Sequence, residues 1–587
     1  MKRAPARIEL KDDAHAVITA ETAKRLPAET GGILLGYRED ADIVVTHALA
    51  VNENKASTHK YERDDVIANK LLSDFLSERS IDDPTGYIGE WHSHPAPCGP
   101  SSIDVAAMRS TARSADGPIA LVVHIPSRAN AFSGMIAQRH RFGRTTTKEV
   151  HVSLPPNRFQ PLGPLPNGAV RADGPVFISY RQSDGTPRAE SLEHLLRAAG
   201  LVVWRDHTDL LAGTTIDRLE QALTQGLSAA VLVVTPDIVH SEIVRERELP
   251  RLLQLDDDPS FSLCIANVVA RNTNHSKCDF DAPDRLLRLT PARTLADKKQ
   301  SNMLDPVGEM EIVRDLLMHR IQQRKTLIHQ GSRPFTIRVQ TRPAPSALDA
   351  HDDDLHIRIN AAGNGRLPSS DGLKLLQTTL PLIGDGVYAA GSEAVRISGG
   401  AHLSVALALG AALPETKIGR IEVADNQGQH WSSSGELQTM ELATEILHCD
   451  GSQQPASRSR VAIFASLTPN PDRTAFERLV NESTEGFNTA VMISTTGNGR
   501  IEAHESGSLS AAIAQRIKQI SADTGRAEVH LAFHGPYTMA VLVGRYLNTL
   551  RTTVYEWTDE YTSGPRYIPV VVLEPGVTNG PITAVLT

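Results

Sequence analysis

Apolar residues in the middle of the chain come in short continuous runs separated by amphipathic stretches. VFIS (176–179) precedes SLEHLLRAAG, whose Gly200 suits a helix C-cap. LVVW (201–204) leads to a helix with Ile216, Leu219, Leu223 and Leu227 on one face, and AAVLVV (229–234) follows. This alternation predicts a parallel sheet covered by helices on both faces. A helix-like segment over 306–330 reads as a spacer to a third region. That region repeats itself. VRISGGAHLSVALALGAALP from Val395 and VHLAFHGPYTMAVLVGRYLN from Val529 share one offset (529 − 395 = 134). At that offset Val395, Ala406, Gly410 and Leu413 recur as Val529, Ala540, Gly544 and Leu547, and Ser404 pairs with Thr538. Each copy predicts a strand, a small-residue turn and a helix, so the region reads as two related α/β halves.

Pro155, Pro156, Pro161, Pro164 and Pro166 predict an extended linker, and the polar stretch DGSQQPASRSR (450–460) separates the two halves. The chain divides into 1–153, a linker 154–174, 175–290, a connecting helix 291–332, and 333–587 with halves 333–450 and 460–587. Its 587 residues, 40% apolar and 22% charged, fit several globular domains. A formal charge of −9 argues against a broad basic surface for duplex nucleic acid, so any nucleotide ligand should be small and held in a pocket. No apolar run approaches the ~18 residues of a membrane span, and the opening MKRAPARIELKDD lacks the apolar core of a secretory signal. A soluble, cytoplasmic protein with no membrane partner is expected. Cys98, Cys264, Cys278 and Cys449 are too scattered for a disulfide framework or a thiolate zinc site.

In YIGEWHSHP (87–95), His92 and His94 face one side of a strand. Asp104, at the end of PAPCGPSSID, can add a carboxylate, giving a ligand set suited to zinc with a fourth position for water. Together with Ser101 and with Glu29 in ETGGILLG, these residues resemble the JAB/MPN (JAMM) metalloprotease family over about residues 5–150. The resemblance implies a JAMM-type α/β domain in which His92, His94 and Asp104 hold zinc. It also implies Glu29 as general base and Ser101 as an aid to the oxyanion. Six residues separate His94 from Ser101, one fewer than the family's usual spacing.

VFISYRQSD (176–184), VVWRDHTDLLAG (202–213) and SEIVRERELPRLL (241–253) resemble a TIR domain over about 175–290. The resemblance implies a flavodoxin-like fold with a parallel sheet and, in catalytic members, cleavage of the nicotinamide–ribose bond of NAD+. A carboxylate near the ribose stabilises the charge that develops there. Trp204 matches the family's aromatic position and Arg181 its basic one. The catalytic glutamate normally lies six residues after the serine, where this chain has Arg247. Glu248 is favoured because Glu-Leu resembles the family's dipeptide, with Glu246 as the substitute.

GGAHLSVALALG (399–410) and FHGPYTMAVLVGRYLN (533–548) resemble a SAVED domain over about 335–587: two fused CARF-like (Rossmann-like) halves that bind a cyclic oligonucleotide. Strand ends and helix N-termini attract phosphate, so Gly400, His402, Ser404, Gly535, Pro536 and Tyr537 are the candidate ligand residues. Thr341, Arg342, Ser466 and Thr468 stand behind them. The order JAB, TIR, SAVED resembles an antiphage CBASS effector. The expected activator is a cyclic oligonucleotide from a CD-NTase, with a trinucleotide first among ring sizes. Binding would drive assembly into an oligomer or filament and switch on hydrolysis of NAD+ to nicotinamide and ADP-ribose. The fused peptidase would act on a conjugated protein or on the chain itself. The alternatives are a zinc isopeptidase scaffolded by non-catalytic TIR and SAVED domains, and a non-enzymatic assembly.

Overall fold

The computed structural model describes residues 7–39, 42–51, 63–77, 79, 83–96, 98–127, 132–140, 144–154, 162–205, 215–241, 243–271, 274–287, 289, 294–331, 333–342, 353–363, 365–434, 440–449, 459–468, 471–496, 501–547, 549–559, 561 and 564–587. The chain forms two compact units, residues 1–162 and 163–587.

The first unit is built on an eight-stranded sheet. Its strand Gly86–Ser93 lies between the antiparallel strand Gly31–Glu39 and the parallel strand Ile119–His124. The apolar positions of these strands alternate onto two faces. Ile88, Trp91 and Val122 join one core, and Leu121 and Val123 join another, beneath the Ser102–Ser114 helix.

The second unit begins with the expected parallel sheet. Its five strands run Val203–Arg205, Val176–Ser179, Ala229–Val234, Ser262–Asn267 and Gln300–Asn302 in spatial order, all parallel. In chain order this is 2-1-3-4-5, the flavodoxin-like arrangement, whose ligands gather at the C-terminal strand ends beside the first strand. The linker is shorter than expected. Val170 bridges Leu227 and the Arg171 amide donates to the Leu227 carbonyl, so the chain before Pro175 already belongs to this sheet's surroundings. Pro155, Pro156 and Pro161 lie outside the described residues.

The repeat region forms two sheets sharing one topology. In the first, Leu355–Arg358, Phe335–Gln340, Ala394–Gly400 and Arg420–Ala424 are parallel. In the second, Thr489–Thr495, Arg460–Ser466, Glu528–His534 and Thr552–Thr558 repeat that order. The helices Leu403–Ala412 and Tyr537–Gly544 pack on each other across the pseudo-symmetric centre. A Cβ on Gly410 would lie 2.1 Å from the Val541 carbonyl oxygen, and one on Gly544 would lie 2.3 Å from that of Leu407. Val541 is the counterpart of Leu407 at the repeat offset, so the contact is reciprocal. The helices cross this closely because both repeated glycines lack a side chain.

The segment expected to be a spacer is a structural element. The Pro306–Gly331 helix puts Ile312, Val313 and Leu316 into the TIR-like core and Leu317, Ile321 and Ile328 into the core of the repeat region. Arg320 and Arg324, one turn apart, extend this bridge with charge. Arg320 donates to the carbonyls of Asp173 and Gly174 and to Ser228 Oγ. Arg324 donates to Asp354 Oδ1 at 2.7 Å. Asp354 is 1% exposed and also accepts from Arg333 (2.7 and 2.8 Å) and the Thr336 amide. Burial raises its pKa, but these donors outweigh burial and hold the carboxyl below its usual range. Asp354→Ala should deprive two cationic partners, buried Arg324 and half-buried Arg333, of their shared carboxylate. Urea denaturation of the full chain is expected to show the 163–587 unit destabilised by about 3–5 kcal/mol.

Candidate functional sites

In the first unit the strand Gly86–Ser93 ends at the two histidines. His92 Nε2 and His94 Nε2 lie 3.0 Å apart, and they face Asp104 Oδ1 and Oδ2 at 3.5 and 3.7 Å. All three donors lie within 4.8 Å of one another, a group of the size that one zinc ion draws together. Neighbours orient them. His94 Nδ1 is 3.0 Å from the Cys98 carbonyl oxygen, so an Nδ1–H donor leaves Nε2 free for a metal. Ser101 caps the Ser102–Ser114 helix. Its Oγ accepts from the Asp104 amide at 3.3 Å while its own amide donates to Asp104 Oδ2 at 2.5 Å. Burial raises the Asp104 pKa, but His92 and the Ser101 bonds outweigh it, so the carboxylate stays charged far below its usual range. The shortened spacing therefore still delivers Asp104, and Ser101 sits on the exposed rim as its anchor. Glu29 is half-buried. Gly31 pairs with His92, and Thr30 is bound to Ser93 through both its amide and its carbonyl, so Glu29 stands at the strand end that carries the histidines.

In the second unit Ser179 closes the first parallel strand and is 1% exposed. Its hydroxyl donates to Glu248 Oε2, and Glu248 is itself 4% exposed. Residues Val244–Glu248 form a π-turn leading into the helix Leu249–Leu255. A π-turn inserts one residue into helical register, which matches the one-residue departure from the family spacing. Glu246 turns outward, 55% exposed, 3.6 Å from Arg245. Arg181 is buried at the N-terminus of the Gln182–Ala198 helix, with NH1 3.1 Å from Asp237 Oδ2. Trp204 pairs in register with Phe177 and packs on the same apolar cluster as Val244 and Leu249, the residues flanking the π-turn. Ser179, whose role was not anticipated, carries no sequence signal beyond its place at the end of VFIS. The D-x-x-x-L-x-x-G loop (206–213) lies outside the described residues.

In the repeat region Gly400 is exposed at its strand end, and Gly535 and Pro536 are half-buried at the equivalent turn. His402 and Ser404 depart from expectation, since both are fully buried. His402 Nδ1 is 2.8 Å from Thr341 Oγ1, and its amide donates to that oxygen at 2.9 Å. The Ser404 amide, in the first turn of its helix, donates to Glu556 Oε1 at 2.6 Å. A carboxylate from the second half thus already occupies the helix N-terminus of the first. Tyr537 is half-buried, and its hydroxyl oxygen is enclosed without a hydrogen-bond partner among the described residues. Thr341 is buried and Ser466 ends its strand.

A sheet with a two-histidine, one-carboxylate cluster, a flavodoxin-like sheet with a buried carboxylate at its switch point, and a duplicated α/β region define a three-domain α/β protein. Residues 11–139 match the prokaryotic homologs of the JAB domain, residues 176–281 the TIR domain, and residues 381–573 the "SMODS-associated and fused to various effectors sensor domain", SAVED. The chain is a JAB–TIR–SAVED fusion. It is 30% identical over 139 residues to NAD(+) hydrolase PdTIR of Paracoccus denitrificans (strain Pd 1222), a match covering 20% of this chain and 45% of that protein. Among solved structures it is similar to the Acinetobacter baumannii Cap4 SAVED/CARF-domain containing receptor with the cyclic trinucleotide 2'3'3'-cAAA. The identity is 13%, covering 63% of this chain and 87% of that one, at a TM-score of 0.34. The Moraxella osloensis Cap4 receptor is 11% identical, covering 81% and 99%, at a TM-score of 0.31.

Two expectations follow. The chain purified with zinc should carry about one ion, measured by elemental analysis, and His92→Ala with His94→Ala should carry almost none. His402 and His530 are pushed down to about 4 and about 3 by burial. Their unfolded forms take up protons first, so stability should fall as pH drops from about 6.5 through the folded values. Denaturation midpoints at pH 7 and pH 5 should reveal a loss of roughly 2 kcal/mol per histidine, and His402→Gln should shrink it.

Proposed function

We propose that this protein is a CBASS-type antiphage effector whose SAVED domain binds a cyclic oligonucleotide made by a CD-NTase. Binding then promotes self-association and activates TIR-catalysed hydrolysis of NAD+. The observation that carries the reading is the carboxylate of Glu248, buried at the switch-point end of the TIR sheet. Hydrolysis breaks the bond between C1' of the ribose and the nicotinamide nitrogen, water adds at C1', and ADP-ribose, nicotinamide and a proton result. Positive charge grows on the ribose as that bond breaks, and a fixed, poorly hydrated carboxylate stabilises it. Trp204 offers a face for the nicotinamide ring, and Arg181 adds a positive charge on the side of the first strand. Glu248 is nearly closed to solvent in the single chain, which accords with a site completed only on assembly. A ligand drives that assembly through its greater affinity for the assembled state.

In the JAB domain His92, His94 and Asp104 would hold zinc, which lowers the pKa of a bound water to about 7. Glu29 stands at the same strand end as a proton acceptor, and the substrate would be a peptide or isopeptide bond of a conjugated protein. Zinc isopeptidase action as the main activity is the second reading, supported by the convergence of all three ligands on one point.

NAD+ consumption by the purified chain against cyclic di-, tri- and tetranucleotides tests the proposal. One ring size is expected to raise the rate. Glu248→Gln should reduce it by at least about a hundredfold, and Glu246→Gln should leave it near wild type. NAD+ untouched at every ligand, together with chelator-sensitive peptidase activity, would favour the second reading.

A further inference from the structure

We infer that Ser179 is a positioning residue that fixes the charged carboxylate of Glu248 for the NAD+ reaction, and that the π-turn Val244–Glu248 exists to bring Glu248 to it. The inference rests on the NAD+-hydrolase reading of the same site. Three features support it. Ser179 is 1% exposed at the last position of a central parallel strand, so its hydroxyl cannot exchange freely between water and protein. That hydroxyl donates to one carboxylate oxygen, Glu248 Oε2. The residue at the family's usual spacing is Arg247, and a guanidinium there could not stabilise a cationic ribose. The extra residue in the turn presents Glu248 to Ser179 instead.

A hydroxyl donor stabilises the ionised carboxylate over the protonated acid and restricts its rotation. Ser179 itself touches no reacting atom in this scheme. It keeps a poorly hydrated carboxylate ionised and aimed while the ribose cation develops. Losing it should act on kcat far more than on KM, because the ground-state grip on NAD+ comes from other groups.

The test compares Ser179→Ala and Ser179→Thr in the full chain, using the cyclic oligonucleotide that activates wild type. For Ser179→Ala we expect kcat to fall about ten- to hundredfold with KM within about threefold, and the acidic limb of the kcat–pH profile to move to higher pH. Ser179→Thr, which restores the hydroxyl, should recover most of the rate and return the limb. A Ser179→Ala protein with kcat within twofold of wild type and an unmoved limb overturns the inference. A second measurement does not depend on turnover. The infrared carboxylate band that disappears in Glu248→Gln should shift in Ser179→Ala, and a band that stays in place also overturns the inference. If wild type consumes no NAD+ with any ring tested, the hydrolase reading fails, and the infrared band alone decides whether Ser179 holds Glu248.

Discussion

Asp354 carries its charge with almost no water around it, and that one carboxylate ties the bridging helix to the first strand of the first SAVED half. It is matched from two directions: Arg324 on the bridging helix and Arg333 just beyond it. One turn before Arg324, Arg320 is buried against the backbone at Asp173 and Gly174, and burial followed by the nearby Arg324 charge pushes it down to about 10. Two guanidiniums one turn apart would repel each other, and they are tolerated here because each has its own acceptors. The TIR sheet and the first SAVED half are thereby held on one helix. Direct contacts reinforce that hold. The His356 amide donates to the Gly200 carbonyl at 2.7 Å, and Thr379 Oγ1 donates to the Ala198 carbonyl at 3.2 Å.

The two SAVED halves are symmetric in their helix crossing and asymmetric in charge. Gly410 and Gly544 make equivalent close approaches. Glu556 reaches across to the Ser404 amide, and burial raises its pKa despite that bond. Arg545 crosses in the same sense, donating to the Ile418 carbonyl and to Ser433 Oγ. The second half thus supplies both an acid and a base to the first. These contacts lock the two halves together, and Gly400 at the end of its strand stays exposed.

Much of this was legible in the residues. The three candidate metal ligands lie within thirteen residues, from His92 at a strand end to Asp104 in the first turn of a helix, so the residues and the family resemblance they carry point to them together. The repeat holds one offset through strand, turn and helix, which chance seldom does, and the helix crossing reproduces that offset atom by atom. The register of Glu248 was not legible in the same way. A π-turn is a backbone event, and VRERE offers alternating charges whichever residue faces inward. The bridging helix read as a spacer because it buries parts of more than one face, which blurs the apolar stripe that marks a packed helix. Asp354 was hidden in the acidic run DAHDDDL, where solvated carboxylates are the common case. The burial of His402 and Ser404 depends on Thr341 and Glu556, partners 61 and 152 positions away that no local pattern can supply.

The candidate catalytic centres are both largely buried, and Glu248 is the more enclosed. His92 and His94 are buried and Asp104 is half-buried, while the neighbouring Ser101 and Ile103 are exposed, so the JAB cluster lies just beneath the protein surface. Glu248 ends the π-turn and is buried, with the Ser179 hydroxyl on its carboxylate. A closed carboxylate must first be uncovered or completed before a dinucleotide can reach it. Under the proposed function the TIR domain is latent in the single chain. That is the safer arrangement for a protein whose second activity would consume a cofactor every cell depends on.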